Sequence, residues 1–157
     1  MEQKQKDKTI AVNRKARHDY FIADTWECGL VLTGTEIKSV RAGRVNLTDS
    51  YAKFENGELW MMNAHISPYE KASWYQHDPR QNRKLLMHKT ELRRLSSKLK
   101  EKGFTLIPLS LYLKEGRLAK ICLGLARGKN AHDKRDSMLE RDAKRSMARE
   151  MRNRMKE

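Results

Sequence analysis

Lysine and arginine recur in short blocks along this chain, with aromatic residues standing between them. Arg14-Lys15-Ala16-Arg17-His18 precedes Tyr20, Lys38 sits near Arg41 and Arg44, Arg80 and Arg83-Lys84 follow Trp74-Tyr75, and Lys120, Arg127 and Lys129 follow Tyr112. Such a mixture offers cations for phosphates and ring faces for unpaired bases. For any single block, a solvated charged exterior is the competing reading. The sum separates the two: 34 Lys+Arg against 20 Asp+Glu leave a formal charge of +14. A field of that sign and size favours a polyanionic partner, with nucleic acid first.

Other chemistries find less support. Gly124-Leu-Ala-Arg-Gly-Lys129 superficially resembles a phosphate-cradling loop, but it lacks the spacing of one and follows a hairpin strand without a βαβ context. His18, His65, His77, His88 and His132 are scattered, with no pair at metal spacing, and Cys28 and Cys122 lie far apart with no Cys-x-x-Cys. No catalytic residue, metal or cofactor is therefore expected, and an RNA-processing enzyme has nothing positive behind it. No stretch joins Lys/Arg to several bulky apolar anchors on one helical face, and no apolar run is long enough to span a bilayer, so a membrane role is not expected. The cytoplasm, with both thiols reduced, is the expected location.

The elements that must position these blocks can be read from periodicity. Residues 1–8 are predicted to be a flexible basic arm, because they hold no apolar residue after Met1. Tyr20 to Ala23 and Glu27 to Thr33 are predicted strands, separated near Asp24. Between Gly34 and Gly43, Ile37 and Val40 stand one turn apart, which predicts a short helix capped by Thr35. Tyr51 to Met61 is a predicted hairpin turning at Asn56-Gly57, a pair suited to positive φ at both positions. Thr105 to Leu113 and Leu118 to Leu125 form a second hairpin by alternation, with Pro108 marking an edge or a bulge. Lys89 to Lys102 carries Leu92, Leu95 and Leu99 on one stripe and is a predicted helix covering an open end of the sheet. Short antiparallel strands before and after that helix predict a mainly β fold: an OB-like barrel over residues 9–128 with two flanking helices.

Composition changes at Gly128. Residues 129–157 contain no Gly, Pro, Phe, Trp or Tyr, but ten Lys/Arg, six Asp/Glu and four of the eight methionines. Leu139, Ala143, Met147, Met151 and Met155 repeat every four residues, too sparse a stripe to build a core. A basic tail, disordered when free and helical when bound, is expected.

Several ordered strings carry a family resemblance. Asn13-Arg-Lys-Ala-Arg-His-Asp-Tyr-Phe-Ile22, Glu27-Cys-Gly-Leu30, Gly34 to Leu47, Asp49-Ser-Tyr51, His65-Ile-Ser-Pro-Tyr69, Asp78 to His88, Gly124 to Lys129 and Asp133-Lys-Arg135 resemble the small protein B (SmpB) family from about Ile10 to Arg135. The resemblance implies an OB-like barrel that binds the tRNA-like domain of transfer-messenger RNA. It further implies delivery with elongation factor Tu to the A site of stalled ribosomes, where the protein occupies the small-subunit decoding centre and its tail enters the empty message channel.

Matched by motif, Asn13, Glu27, Leu86 and Lys120 stand at the family's RNA-binding positions, and Arg83 and Lys84 join them as the adjoining basic pair. Asn13 can donate and accept hydrogen bonds, Lys120 can neutralise a phosphate, and Leu86 can pack on a splayed base or sugar. Glu27 has two readings: an acceptor for base or ribose protons, or an internal partner that orients a basic side chain. Gly128, His132, Asp133, Lys134 and Arg135 resemble the family's decoding-site and tagging segment, where His132 could stack on a ribosomal base; Asp133 also suits a helix cap. A general ribosomal or structural RNA-binding protein on the same barrel is the alternative function.

Overall fold

In the computed structural model, residues 7–101 and 103–155 are described. The first half runs β1 (Lys8–Val12), α1 (Arg14–Asp19), β2 (Tyr20–Leu30), α2 (Gly34–Arg41), β3 (Val45–Asn46), β4 (Tyr51–Glu55), β5 (Glu58–Met62) and β6 (His65–Ile66). The second runs β7 (Arg83–Leu86), α3 (Lys89–Leu99), β8 (Phe104–Lys114), β9 (Leu118–Gly128) and α4 (Ala131–Arg154). Most of the expected N-terminal arm, residues 1–6, lies outside the described residues; Lys8 already belongs to β1.

All strand pairs are antiparallel, and six strands form a ring: β8 pairs with β4, β4 with β5, β5 with β7, β7 with β2, β2 with β9, and β9 returns to β8. That closure makes the OB-like barrel, with one strand more than the five of an OB fold. β1 pairs with the Ser110–Leu113 end of β8, beyond the Ala52–Leu106 contact with β4, and β3 with β6 forms a separate ribbon. Inward alternation places Cys28, Leu30, Leu59, Met61, Leu85, Leu111, Ile121 and Leu123 in one core. α3 closes an end through Leu95, which is fully buried, with Leu92 and Leu99 packed beside it. Burying one such leucine stabilises by about 1.5–3 kcal/mol.

The expected turns hold. Asn56 and Gly57 sit at φ 51° and 75°, and the β8–β9 turn uses Glu115 and Gly116 at φ 51° and 68°. The register of β8 slips between Pro108 and Ser110, so Pro108 does mark a bulge. α2 ends as expected at Gly43, φ 76°, but its cap is Thr33 rather than Thr35. The Thr33 N–H donates to the Glu36 carboxylate at 2.8 Å, and the Glu36 N–H reaches Thr33 Oγ1 at 3.4 Å.

Three expectations change. The two strands expected before and after Asp24 are one strand, β2, with a bulge between Ile22 and Asp24 absorbing the polar residue. β7 occupies the basic Arg83–Leu86 block. A third helix, α1, flanks the barrel where only a basic cluster was legible, so the barrel has three helices against it rather than two. α1 is short, but Asn13 caps it by accepting from the Ala16 N–H at 3.2 Å. It packs Ala16 over Ile107, Leu109 and Ala126 on the outer face of β8 and β9.

Candidate nucleic-acid interface

Strand register builds the site. Tyr112 on β8 lies opposite Lys120 on β9, Lys120 opposite Gly29 on β2, and Gly29 opposite Leu86 on β7. Directly paired residues share a face, so these four form a row across the outside of the barrel. Glu27 lies on the same face, two residues from Gly29. A groove of about 590 Å³ runs here, lined by Glu27, Gly29, Leu86, Met87, His88 and Lys120 among others. Motifs separated by as many as 93 residues thus meet at one place.

Gly29 makes the groove possible. A Cβ there would stand 3.3 Å from Leu86 Cβ, so a side chain would crowd Leu86 and fill the floor between it and Lys120. Leu86 is 52% exposed, leaving an apolar surface in the groove.

The charged end is organised around Glu27. The Tyr112 hydroxyl donates to Glu27 Oε2, and Lys120 Nζ lies 3.5 Å from Oε1. The Tyr112 hydrogen bond, followed by the attraction of Lys120, holds the Glu27 carboxyl below its ordinary range. Of its two readings, the unliganded geometry fits the partner that orients a basic side chain. Lys120 is kept at the groove and still 25% exposed. Lys84 lies two residues from Leu86 on the same face, paired to Glu58 at 2.7 Å but 39% exposed.

Two of the expected contact residues turn inward in this structure. The Arg83 side chain is 1% exposed and bonded through Nε to Glu36 at 2.7 Å, through Nη1 to the Ala64 carbonyl at 2.7 Å and through Nη2 to the Pro79 carbonyl at 3.1 Å. With its fork spent inside, Arg83 fastens α2 to β7 rather than presenting a charge. Asn13 is 4% exposed. Its amide donates to the Leu47 and Pro108 carbonyls at 3.1 and 3.0 Å, and its oxygen caps α1. Asn13 joins the β8 bulge, α1 and the chain after β3, and it lies outside the Glu27–Leu86–Lys120 groove.

The tail segment stands at the other end of β9. Lys120 and Gly128 are separated by eight residues of strand, about 26 Å. A Cβ at Gly128 would meet nothing within 4 Å. Asp133 accepts from the Asn130 N–H at 3.2 Å and so serves the start of α4. Lys134 lies 3.5 Å from Asp19, and Arg135 is exposed. The His132 side chain lies outside the described residues. α4 docks on the last turn of α1, whose Arg17 carbonyl accepts from Arg141 at 2.8 Å and from Lys129 at 3.3 Å. Cations there complement the helix dipole. Every residue from Met138 to the end of α4 at Arg154, and Met155 after it, is exposed.

The sequence reading missed Gly29 as the groove floor, Met87 and His88 as its wall, and Tyr112 as the donor to Glu27. The signal for Tyr112 was present, because the turn between β8 and β9 fixes a register that sets Tyr112 against Lys120. No group of three or more His, Cys, Asp or Glu residues that could hold a metal occurs among the described residues, and no helix there is long and apolar enough to cross a membrane.

A closed antiparallel barrel with a half-apolar, lysine-edged groove on its outer face has the build of an OB-type nucleic-acid-binding protein. Comparison with known proteins narrows this class. The chain belongs to the SmpB family, whose model, described as SmpB protein, matches residues 10–153. It is 57% identical over 143 residues to the SsrA-binding protein of Desulforudis audaxviator, covering 91% of this chain and 93% of that one. Against the SsrA-binding protein of Bacillus cytotoxicus the identity is 57% over 149 residues, covering 95% and 96%. A solved structure described as "tmRNA-SmpB: a journey to the center of the bacterial ribosome" superposes with a TM-score of 0.65 at 57% identity, covering 77% of this chain and 85% of that one. The family match extends well past Arg135, into the tail, where the motifs alone had stopped.

Proposed function

We infer that this protein binds the tRNA-like domain of transfer-messenger RNA and brings it to the A site of ribosomes stalled on truncated messages, so that the incomplete peptide is tagged and the ribosome released. The observation that carries this reading is the convergence of Glu27, Leu86 and Lys120 in one groove. Family membership and the likeness to a structure described as tmRNA-SmpB support it. In the groove Leu86 supplies a face for a base or sugar, Lys120 a phosphate contact, and Glu27 with Tyr112 the frame that keeps Lys120 in place. Asn13 and Arg83 act from inside by fixing the elements that carry the groove. No step requires bond-making by the protein, and elongation factor Tu is the partner expected to share the delivery complex in the cytoplasm.

Gly128, His132, Asp133, Lys134 and Arg135 form the second working part, directed to the small-subunit decoding centre, with α4 lying in the message channel. An intact message would occupy that path and exclude the helix.

A pull-down from bacterial lysate tests the barrel's role: selective recovery of a single tRNA-like transcript is expected, and recovery of bulk ribosomal RNA instead would favour a general ribosomal RNA-binding protein. In a reconstituted tagging assay, changing Asp133, Lys134 and Arg135 together to Ala should abolish tagging while affinity for free transfer-messenger RNA stays near that of the parent. Parallel loss of both activities would place the tail within the RNA-binding surface.

A further inference from the structure

The chain between β6 and β7, residues 67–82, holds an aromatic pair that the groove does not use. Trp74 is 99% exposed and Tyr75 62%. A single exposed apolar side chain is ordinary on a protein surface. Two consecutive rings on a fastened loop are a different case, because loose backbone does not account for their exposure. The Gln76 amide donates to the Tyr69 carbonyl at 2.9 Å and accepts from the Tyr69 N–H at 3.0 Å, closing the loop at its base. His77, 2% exposed, is held between Thr35 Oγ1 at 2.9 Å and the Ile66 carbonyl at 3.0 Å. The Ala72 N–H also bonds the Tyr69 carbonyl at 3.1 Å. Trp74 and Tyr75 stand between these fixtures.

The surroundings decide what kind of partner suits the pair. Residues 70–78 contain no aliphatic side chain larger than Ala72. An aromatic anchor in a protein interface sits in a well-packed pocket whose rim keeps water off it, and a membrane face needs several apolar anchors; here Trp74 stands fully in solvent and its surround is polar and charged. It offers cations. Lys38 lies 5.3 Å from the Tyr69 ring centre, Arg44 is anchored on Glu70 at 2.5 Å, and Lys71 and Arg80 are exposed in the loop itself; set against Glu70 and Asp78, these four cations leave the patch a net charge of +2. Exposed rings set among lysine and arginine are the elements of a base-stacking platform on a phosphate-attracting surface.

We propose that Trp74 and Tyr75 form a second RNA-binding surface, separate from the Glu27–Leu86–Lys120 groove, on which an unpaired base of a single-stranded segment stacks. None of residues 67–82 lines that groove. The proposal therefore does not depend on which RNA the groove takes.

Intrinsic fluorescence tests it directly, since Trp74 is the fully exposed member of the three tryptophans, and Trp26 and Trp60 are partly buried. The full chain is titrated with a short single-stranded oligoadenylate. Quenching is expected in the parent and, undiminished, in Leu86→Asp. Trp74→Ala should bind about tenfold more weakly, followed by anisotropy of a labelled oligonucleotide, and Trp74→Phe should regain most of the loss. Unchanged melting of both variants shows that packing is not the cause. Unchanged affinity of Trp74→Ala overturns the proposal. Loss of quenching in Leu86→Asp does so as well, because the strand would then occupy the groove alone. Quenching by RNA-free ribosomal proteins but not by oligoadenylate assigns the loop to a protein and also overturns it. Failure of Leu86→Asp to weaken tRNA-like-domain binding would count against the groove and leave the loop untouched.

Discussion

The two ends of β9 are built by opposite means. At Lys120 the strand lies inside a closed ring, and Glu27 and Lys120 are held by cross-strand neighbours, a tyrosine hydroxyl and an ion pair. At Gly128 it passes into a helix of 24 residues, about 36 Å long, that meets the rest of the protein near its start and is exposed from Met138 onward. A surface that must recognise one RNA shape gains from a fixed frame, because little ordering entropy is then lost on binding. A segment proposed to enter a channel gains from having no core of its own, since its helix can be stabilised by whatever lines the channel.

The comparison breaks most readily at the frame. Glu36 and Arg83 are each 1% exposed in a 2.7 Å ion pair, and removing one partner of such a pair costs about 3–5 kcal/mol. Glu36→Ala should therefore lower the melting temperature by about 6–20 °C in a chain of this size. Thermal melting by circular dichroism checks it; a shift of a degree or two would mean that the barrel does not rely on this pair. Asn13→Ala removes three buried hydrogen bonds, one of them the cap of α1, and should cost about 1–3 kcal/mol by urea titration. RNA affinity measured where the variant is folded should stay within severalfold of the parent, as expected for a residue acting through the frame.

Acid reaches the same frame more gently. Burial pushes the Glu36 carboxyl up, but hydrogen bonds from the Thr33 N–H, Arg83 and Gln81 outweigh it and leave it below its ordinary 4.5. A lowered folded pKa means that this stabilisation is complete above pH 4.5 and is lost as pH falls through the lower folded value. Melting should accordingly fall below about pH 4.5, and Glu36→Gln should lack that part of the slope. At the other end of the comparison, truncation after Gly128 should change stability by no more than about 0.5 kcal/mol, because exposed helix contributes little to the fold. A larger loss would show that the α1–α4 contacts form part of the barrel's core.

How much of this was legible follows from the range of each interaction. The Asn56-Gly57 turn, the α3 stripe and the Pro108 bulge are set by neighbours in sequence, and periodicity found them. α1 escaped because six residues give too few turns for a pattern, and the motif around Asn13 carries no sign that its side chain caps a helix. Arg83 and Glu36 lie 47 residues apart, and no local signal distinguishes an arginine that pairs inside from one that meets phosphate. The groove's residues were identified by resemblance, but their meeting depends on the register of four strands. Gly29 shows the difficulty most plainly: its part in the site is the absence of a side chain beside Leu86.

The central claim is that the groove, and not the tail, binds the tRNA-like domain. Leu86→Asp puts a negative charge on the groove's exposed apolar side without disturbing the core. A filter-binding titration against that RNA domain, run beside thermal melting and beside the chain truncated after Gly128, measures the claim directly. The account predicts unchanged melting for Leu86→Asp with affinity at least about tenfold weaker, roughly 1.4 kcal/mol, and near-parent affinity for the truncated chain. Full affinity in Leu86→Asp, or its loss on truncation, would contradict it.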